Sequence, residues 1–384
     1  MAQTADTRAV GRILHILLPL VALILPVLLL SLSSPSLNTP RSYYYTTLYD
    51  GWTVEMNGVT ETEVDVTTSH IRWRNKGDTA VMRHALPVLD DTGAPLSIIA
   101  PCVMFPTSLS TVRASVGDEE IYAYGQELAD AGLMVPRHVH FIPLDGTSPG
   151  SELVLTITST ESGSLLTLPR IFFGNREDLR RSFIEERRLP LFVGGFLVTF
   201  AFVLLILSSY LYLYHGHDLS LLPCAAISFV LGIYIQSYND VFGYLTDNDR
   251  LFTDAEYFSL YMTPLTLVAF ICVDRRELLK EKFSRITILF FLVANALFPA
   301  VALVCHLLNI IHLNRFLPGL HIMAVVEWLV LVPMLVFRFL SRIRGYRQEV
   351  RMETRKQDSP TGYARFASDN SLLVGLVIFM VCAG

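Results

Sequence analysis

Charged residues are scarce in this sequence. Only 17% of the 384 residues are charged and 52% are hydrophobic, whereas ordinary soluble domains are about 25% charged. No long basic tract occurs and the formal net charge is -5, so nucleic acid is not an expected partner. The apolar residues are grouped in long blocks, which argues against a wholly soluble protein and predicts a lipid bilayer as a partner.

Cysteine pairs with metal-binding or redox spacing are also missing. The chain has 5 cysteines and no CxxC pair. All but one lie in apolar blocks, where a thiol behaves as a small hydrophobic group, and Cys102 stands alone in the polar region. We therefore expect neither a disulfide within that region nor a structural metal site.

Motifs of common enzymes are absent as well. The sequence has no GxSxG, HExxH, P-loop or GxGxxG pattern, and these patterns mark widespread hydrolase, metalloprotease and nucleotide-binding sites. The histidines are scattered without a recognisable catalytic arrangement. We therefore expect no enzyme activity and no cofactor in this chain.

The first apolar block runs from Ile13 to Leu32 and follows Arg8 and Arg12. Hydrophobic cores of signal peptides are only about 7–15 residues long. The longer block predicts an uncleaved membrane anchor with a short cytoplasmic tip, residues 1–34. A cleaved signal peptide is the alternative, because small residues follow the block.

Later apolar blocks are long enough to cross a hydrocarbon core of about 30 Å. They cover residues 189–214, 219–238, 256–273, 286–308 and 318–338. A further block begins at Leu372 and stops with the chain at Gly384. We expect residues 189–384 to form a helical membrane bundle, and we expect that the sequence is truncated within this last span.

Charges in the connecting segments predict the orientation, because basic loops stay on the cytoplasmic side. Residues 273–285 and 338–370 are rich in arginine and lysine, whereas residues 239–256 are acidic. The two basic segments are separated by two apolar blocks, so they agree with each other. This arrangement places residues 35–188 outside the cell.

Residues 35–175 have the pattern of short strands separated by turns. In VRASVGDEEIYAYG, residues 112–125, two alternating runs flank Gly117-Asp118, which predicts a β-hairpin. The predicted fold class is an extracellular all-β jelly roll or β-sandwich plus an α-helical multi-span membrane bundle. The other candidate strands are WTVEM, TEVDV, HIRWR, AVMRHALPV, LSIIA, VHFIPL, ELVLTIT and LPRIFF.

The runs VRASVGDEEIYAYG, VHFIPLDGTSPGSELVLTIT and LPRIFFG resemble the extracellular jelly roll of bacterial sensors. The whole layout is similar to that of the seven-transmembrane receptors with diverse intracellular signalling modules. The resemblance implies a small-molecule ligand outside the cell, with carbohydrate as one candidate, and a cytoplasmic signalling domain or protein as a partner. Many relatives end in a GGDEF domain that makes cyclic di-GMP, but this chain has fewer complete spans and no GGDEF motif.

Four aromatic residues are candidates for ligand binding. Tyr122 and Tyr124 share one face of a strand. Together with Trp52 and Trp73 they could stack on a sugar ring. The alternative is that these rings pack in the core or against neighbouring strands.

The segment RHVHF places His138 and His140 on one face of a strand. Two imidazoles at this spacing can hold a metal ion if a third ligand joins them, but the sequence supplies no obvious third ligand. A solvated or hydrogen-bonded histidine pair is therefore favoured.

The segment NREDLRRSFIEERRLP predicts a short coupling helix, residues 176–188, that leads directly into the membrane. Asn175 and Asp178 have the spacing of a helix cap. Leu179 and Phe183 form a narrow apolar stripe. A rigid helix at this place could transmit ligand binding to the bundle, and a plain spacer helix at the lipid headgroups is the alternative.

One acidic residue, Glu327, lies inside an apolar block. A carboxyl group at that depth costs a few kcal/mol and normally faces the bundle interior. Asn295, in the preceding block, is the expected hydrogen-bond partner. A structural acid is favoured over a site for a proton, an ion or a small ligand.

Three functions fit this organisation. The favoured one is a bacterial transmembrane sensor that responds to ligand binding. Its output would be cyclic di-GMP synthesis by a domain missing from this chain. The sequence leaves open whether the protein is a homodimer. The second is a multi-span transporter or permease with an accessory extracellular domain, although its spans show no internal repeat. The third is a membrane enzyme that uses the acidic segment 239–256.

Overall fold

The computed structural model describes residues 45–353 except 74, 89–97, 149, 165–166, 215–220, 242–247 and 275–277. The predicted anchor at 13–32 and the block that begins at Leu372 lie outside these residues. The chain divides into two compact units. The first unit comprises the described residues up to Leu204 together with Ser228–Leu260, and the second comprises Leu205–Ile227 and the residues from Tyr261 onward.

The first unit contains a β-sandwich of two antiparallel sheets. Its smaller sheet has the order β1-β10-β5-β8, and its larger sheet has the order β3-β2-β4-β9-β6-β7. The strands within the described residues are β1 Tyr45–Leu48, β2 Trp52–Met56, β3 Val59–Val64, β4 Thr79–Ala85, β5 Pro101–Thr107, β6 Ser110–Val116, β7 Glu119–Tyr124, β8 His138–Pro143, β9 Glu152–Ser159 and β10 Ile171–Asn175. A short helix α1, Gln126–Asp130, follows β7. The predicted combination of a β domain and apolar helices is confirmed.

Alternation along the strands builds the sandwich core. In β9, Leu153, Leu155 and Ile157 are fully buried while the residues between them are partly exposed, as expected when successive side chains point to opposite faces. They pack with residues of the smaller sheet such as Phe105 and Ile142. Each fully buried aliphatic side chain contributes about 1.5–3 kcal/mol to folding.

The predicted hairpin is confirmed as β6 and β7, which meet at Gly117 with φ 60°. The segments WTVEM, AVMRHALPV, VHFIPL, ELVLTIT and LPRIFF also contribute strands, and TEVDV overlaps the end of β3. The prediction of a strand at HIRWR is wrong for residues 70–73, which lie in no strand. LSIIA falls partly outside the described residues, and Ile98–Ala100 are not in a strand.

Two strands, β1 and β5, were not predicted, and β5 has a clear physical reason. It is buried on both faces, with Val103 and Phe105 in the sandwich core and Cys102 and Met104 beneath a helix. Its sequence therefore shows no alternation of polar and apolar residues. Its prolines also argue against a strand.

A helix is observed where residues 176–188 were predicted to form the coupling helix: α2, Arg176–Glu186, begins directly after β10. Its Leu179 and Phe183 pack on Cys102 and Met104 of β5, so the apolar stripe lies against the smaller sheet. Asn175 is the N-cap residue, but its side chain makes no capping hydrogen bond. Its amide donates instead to Asp178 Oδ2 at 3.2 Å.

The five apolar blocks between residues 189 and 338 form helices. They are α3 Arg188–Tyr214, α4 Leu222–Tyr238, α5 Asp249–Asp274, α6 Lys282–Leu307 and α7 Leu317–Glu353. Within the described residues, 4 helices are long and apolar enough to cross a membrane, and α4 is shorter. A 27-residue helix such as α3 extends for about 40 Å. The protein is therefore a multi-pass membrane protein.

In the first unit, α3 and α4 approach each other through glycines. A Cβ atom on Gly194 would lie 2.5 Å from Gln236 Cγ and 3.1 Å from the Gly232 carbonyl oxygen. A Cβ atom on Gly232 would lie 2.8 Å from Val198 Cγ2 and 2.9 Å from the Gly194 carbonyl oxygen. Small residues of this kind allow membrane helices to pack with their backbones in contact.

Candidate functional site

Four of the predicted ligand-binding residues lie together at the edge of the sandwich. Strands β7 and β8 are the last strands of their respective sheets. The ring of Tyr124 stacks on His138, with centroids 4.5 Å apart and an interplanar angle of 15°. Tyr122 and Tyr124 both contact His140 edge-on, at 5.6 Å and 5.1 Å. The predicted shared faces of the tyrosine pair and of the histidine pair therefore meet.

His140 is the buried centre of this cluster. Its Nδ1 lies 2.9 Å from the Tyr122 hydroxyl and its Nε2 lies 2.8 Å from Thr107 Oγ1, so both ring nitrogens are hydrogen-bonded. Burial, together with the neighbouring His138, lowers the pKa of His140 well below its usual range. Burial also raises the pKa of Tyr122 to about 12. His140 is thus a neutral structural residue that fixes the Tyr122 side chain.

His138 faces outward from the cluster and contacts a membrane helix. Its Nδ1 lies 2.7 Å from Oδ2 of Asp249, the first residue of α5. The Tyr124 hydroxyl donates to the same oxygen at 3.3 Å. A carboxylate at a helix N-terminus also interacts favourably with the helix dipole. In the sequence, Asp249 lies in the acidic segment 239–256, which indicates orientation or the site of a membrane enzyme but not a contact with His138.

Arg137, immediately before β8, connects the sandwich to both α4 and α5. Its Nη1 donates to the carbonyl oxygen of Tyr238 at 2.6 Å and lies 3.3 Å from Glu256 Oε2. Its Nε lies 4.0 Å from Asp240 Oδ1. Its backbone N–H donates to Thr253 Oγ1 at 3.0 Å. Burial lowers the pKa of Arg137, but Asp240 and Glu256 outweigh that effect and raise it overall, so this guanidinium stays charged.

A second arginine fixes the end of α4 from another side. Arg187, between α2 and α3, donates from Nε to the carbonyl oxygen of Asn239 at 2.9 Å. Its guanidinium carbon lies 3.7 Å from the centroid of the Phe183 ring, within the range of a cation–π interaction. We call Arg137, His138 and Arg187, with their contacts on residues 238–256, the polar junction.

A cavity of about 210 Å³ lies beside the polar junction within the first unit. Aromatic rings and charged groups share its wall. Its lining residues are Tyr122, Arg137, His138, Val139, Phe141, Arg180, Phe183, Ser237, Asp240, Asp249, Phe252, Thr253 and Glu256.

Two polar groups on this wall differ from the rest. The Ser237 hydroxyl is buried and has no hydrogen-bond partner among the described residues. Asp240 has a left-handed backbone, with φ 55°, and its carboxylate makes no side-chain hydrogen bond within the described part of the chain. Burial raises the pKa of Asp240, although Arg137 and Arg187 lower it in part.

The two predicted tryptophans do not belong to this site, and their assignment to ligand binding is corrected. Trp52 and Trp73 are 0% and 1% exposed and lie in the sandwich core. Their indole N–H groups donate to the carbonyl oxygens of Leu48 and Ile157, at 3.0 Å and 3.2 Å. Neither ring offers a face to a ligand, which agrees with the alternative interpretation that these rings pack in the core.

Metal binding finds no geometric support among the residues that the structure describes. They contain no group of three or more His, Cys, Asp or Glu side chains arranged to hold a metal ion. Both nitrogens of His140 are already hydrogen-bonded. Nδ1 of the neighbouring His138 is directed to Asp249.

The predicted pair of Asn295 and Glu327 is found in the second unit. Asn295 Nδ2 donates to Glu327 Oε2 at 3.1 Å, and both side chains are buried. Asn295 Oδ1 has no hydrogen-bond partner among the described residues. The pair is the hydrogen-bonded arrangement that a buried acid requires.

No family model matches the chain, and no curated protein matches it significantly.

Proposed function

We propose that this chain is the receptor part of a bacterial transmembrane sensor, in which the β-sandwich lies outside the cell and binds a small molecule. The observation that carries the proposal is the polar junction. Arg137 and His138 of the sandwich bind the C-terminal end of α4 and the first two turns of α5. A change in the sandwich at β8 therefore acts directly on two apolar helices.

Helix α2 supplies a second connection. Its Leu179 and Phe183 are packed on β5, and only Arg187 separates it from α3. A packed helix moves as a rigid element, so displacement of the smaller sheet is transmitted to the start of α3. The two connections together attach the sandwich to α3, α4 and α5.

A sensor needs two states that differ in ligand affinity, because a ligand that binds both states equally well does not shift the equilibrium between them. The polar junction provides contacts that can be made in one state and broken in the other. The resemblance noted in the sequence supports a cytoplasmic output that makes cyclic di-GMP, supplied by a domain or protein beyond this chain. The basic connection 273–285 supports an orientation with the sandwich outside.

A transporter is the second candidate, and the buried pair of Asn295 and Glu327 favours it. Intramembrane acids often mark ion or proton paths. Uptake of solute into vesicles that is lost in the Glu327→Gln variant would favour transport over sensing.

The proposed coupling is tested by the reactivity of one native cysteine. Cys272 is half-buried near the end of α5, far along the helix from Asp249. In a chain whose other cysteines are replaced, Arg137→Ala is expected to change the alkylation rate of Cys272 by about threefold or more. The matched control is Arg113→Ala, which removes an exposed arginine of β6.

An unchanged rate in Arg137→Ala would contradict coupling through the polar junction, provided that the sandwich remains folded. Folding is checked by hydrogen exchange of β9, which belongs to the larger sheet, whereas Arg137 precedes β8 of the smaller sheet.

A further inference from the structure

The cavity beside the polar junction contains a buried hydroxyl group with no partner. Ser237 is 3% exposed, and its Oγ has no hydrogen-bond partner among the described residues. Ser237 lines the cavity. A buried polar group that lacks a partner is unfavourable, so this hydroxyl is a position at which a bound molecule would gain a hydrogen bond.

Asp240 is the second group on this wall that is available to a ligand. Its closest cation is Arg137, whose Nε is 4.0 Å from Oδ1, which is too long for a hydrogen bond. The other two carboxylates of the wall have closer partners. Asp249 accepts from Tyr124 and contacts His138, and Glu256 lies 3.3 Å from Arg137. Asp240 lines the cavity and retains acceptor positions for a ligand.

Part of the remaining wall is apolar. Phe141, Phe183 and Phe252 line the cavity together with Val139. Its volume of about 210 Å³ exceeds the roughly 150 Å³ of an engineered cavity that binds benzene. The space accommodates one aromatic ring or a branched aliphatic group together with a short polar tail.

These features define the chemistry of a ligand. We propose that the cavity binds a small organic ammonium ion with an apolar or aromatic body, whose N–H groups donate to the Asp240 carboxylate and the Ser237 hydroxyl oxygen while its body packs against the phenylalanines. An ammonium group is donor-only, so it complements two acceptors. A charge-assisted hydrogen bond to a carboxylate is among the stronger polar contacts in proteins.

The position of the cavity indicates that this ligand acts on the polar junction. This role rests on the proposed function as a sensor. The lining comes from β7, from β8 and the residue before it, from α2, from the end of α4 and the residues after it, and from the start of α5. Apart from β7, these are the elements that the polar junction and the coupling helix join. A ligand that binds Asp240 competes with the long contact between Asp240 and Arg137 and so alters the junction directly.

Because Arg180 lies at the cavity wall, a carboxylate-bearing ligand is the main alternative to the ammonium ion. Arg180 is exposed at the cavity wall, with its guanidinium carbon 5.9 Å from the Phe141 ring centroid. An anion could contact it there. The buried hydroxyl without a partner is that of Ser237, and the carboxylate of Asp240 has only a long contact with Arg137. Both groups accept hydrogen bonds, so the ammonium ion is the ligand that these two groups favour.

The test uses the full chain in lipid nanodiscs and isothermal titration with two probes of similar size, 2-phenylethylamine and 3-phenylpropionate. The amine is expected to bind and the carboxylate is not. Asp240→Asn is expected to weaken amine binding by about tenfold or more, and Ser237→Ala by about threefold. Asp118→Asn, at the exposed hairpin turn, is the matched control and should leave binding unchanged.

The pH dependence of amine binding supplies a second readout. The amine binds the ionised form of Asp240, whose pKa is raised by burial. Affinity should therefore fall as the pH decreases through that pKa, and Asp240→Asn should remove this dependence. An equal affinity in Asp240→Asn, a preference for 3-phenylpropionate, or no saturable amine binding up to about 10 mM would each overturn the inference.

The outcomes separate this inference from the proposed function. If the amine binds through Asp240 but leaves the alkylation rate of Cys272 unchanged, the site is real and the coupling fails. If Arg137→Ala changes Cys272 reactivity but no amine binds, the coupling is supported and the ligand class is wrong.

Discussion

The imidazole Nδ1 of His138 lies 2.7 Å from Oδ2 of Asp249, which joins the first residue of β8 to the first residue of α5. The two residues are 111 positions apart in the sequence. Both side chains are mostly shielded from solvent, at 27% and 19% exposure, so the contact is screened less than a surface pair. It is a direct link between the smaller sheet of the sandwich and an apolar helix.

Removing this link should loosen the start of α5. Asp249→Ala eliminates the acceptor for both His138 and Tyr124, which is expected to lower the local opening free energy of residues 249–256 by about 1 kcal/mol. Amide hydrogen exchange there should accelerate by about fivefold. Asp118→Ala is the control, and identical exchange in both variants would show that the contact does not hold the helix end.

Arg137 should be the most sensitive residue of the polar junction. Its guanidinium and the Glu256 carboxylate are 23% and 12% exposed, so Arg137→Ala leaves a largely buried carboxylate without its cation. We expect a loss of about 2–3 kcal/mol in unfolding free energy, measured by chemical denaturation in detergent micelles.

A double-mutant cycle separates the ion pair from other effects of Arg137. Glu256→Gln in the Arg137→Ala background should recover part of the lost stability, because the uncompensated charge is removed. Arg113→Ala, on the exposed face of β6, should cost little. Additive losses in the double variant would show that the two side chains do not interact.

The close approach of α3 and α4 predicts different responses at neighbouring glycines. Gly194→Ala and Gly232→Ala place a Cβ atom within 3.0 Å of a neighbouring atom, whereas Gly195→Ala meets its nearest atom at 3.7 Å. The first two variants should lose about 1–3 kcal/mol through overpacking, and the third should be tolerated. Thermal unfolding midpoints of the three variants test this, and equal midpoints would be inconsistent with backbone contact.

His140 predicts acid sensitivity of the sandwich. Burial and His138 hold its folded-state pKa well below the unfolded value, so the unfolded chain binds more protons as the pH falls. Stability is therefore fully present above about pH 6.5 and decreases below it, by at most about 1.4 kcal/mol per pH unit. Three titratable side chains contact the His140 ring, namely Tyr122, Tyr124 and His138. A fourth, Asp249, contacts His138. The variants that test His140 leave all four of these side chains unchanged.

The measurement is the pH dependence of unfolding between about pH 5 and 8. His140→Gln should flatten this dependence even if it lowers stability overall. His70→Gln, at an exposed position, should retain the slope of the parent chain. A slope that is unaffected by His140→Gln would assign acid sensitivity to other groups.

Local patterns in the sequence were sufficient to predict the positions of the β6–β7 hairpin, of helix α2 and of the apolar helices. Alternation around Gly117 and the apolar stripe of Leu179 and Phe183 report short-range geometry, and the structure follows both. The pairing of Asn295 with Glu327 could also be predicted, because a buried acid needs a partner and few polar residues lie in the apolar blocks.

The polar junction could not be predicted in this way. A sequence shows which side chains share a strand face but does not show which face is inside. Sequence alone therefore groups the core residues Trp52 and Trp73 with the half-buried Tyr122 and Tyr124. Arg137 and Asp249 are brought together by long-range folding rather than by local pattern. One usable signal existed, since a basic residue beside two histidines at 137–140 is complementary to the acidic segment 239–256.

The central claim is that the sandwich lies outside the cell while its edge is attached to the membrane helices. The most direct measurement is labelling of Asp118→Cys, at the exposed hairpin turn, in an otherwise cysteine-free chain with a membrane-impermeant maleimide. Labelling in intact cells equal to that after lysis is the predicted result. Protection in intact cells followed by labelling on lysis would contradict the account.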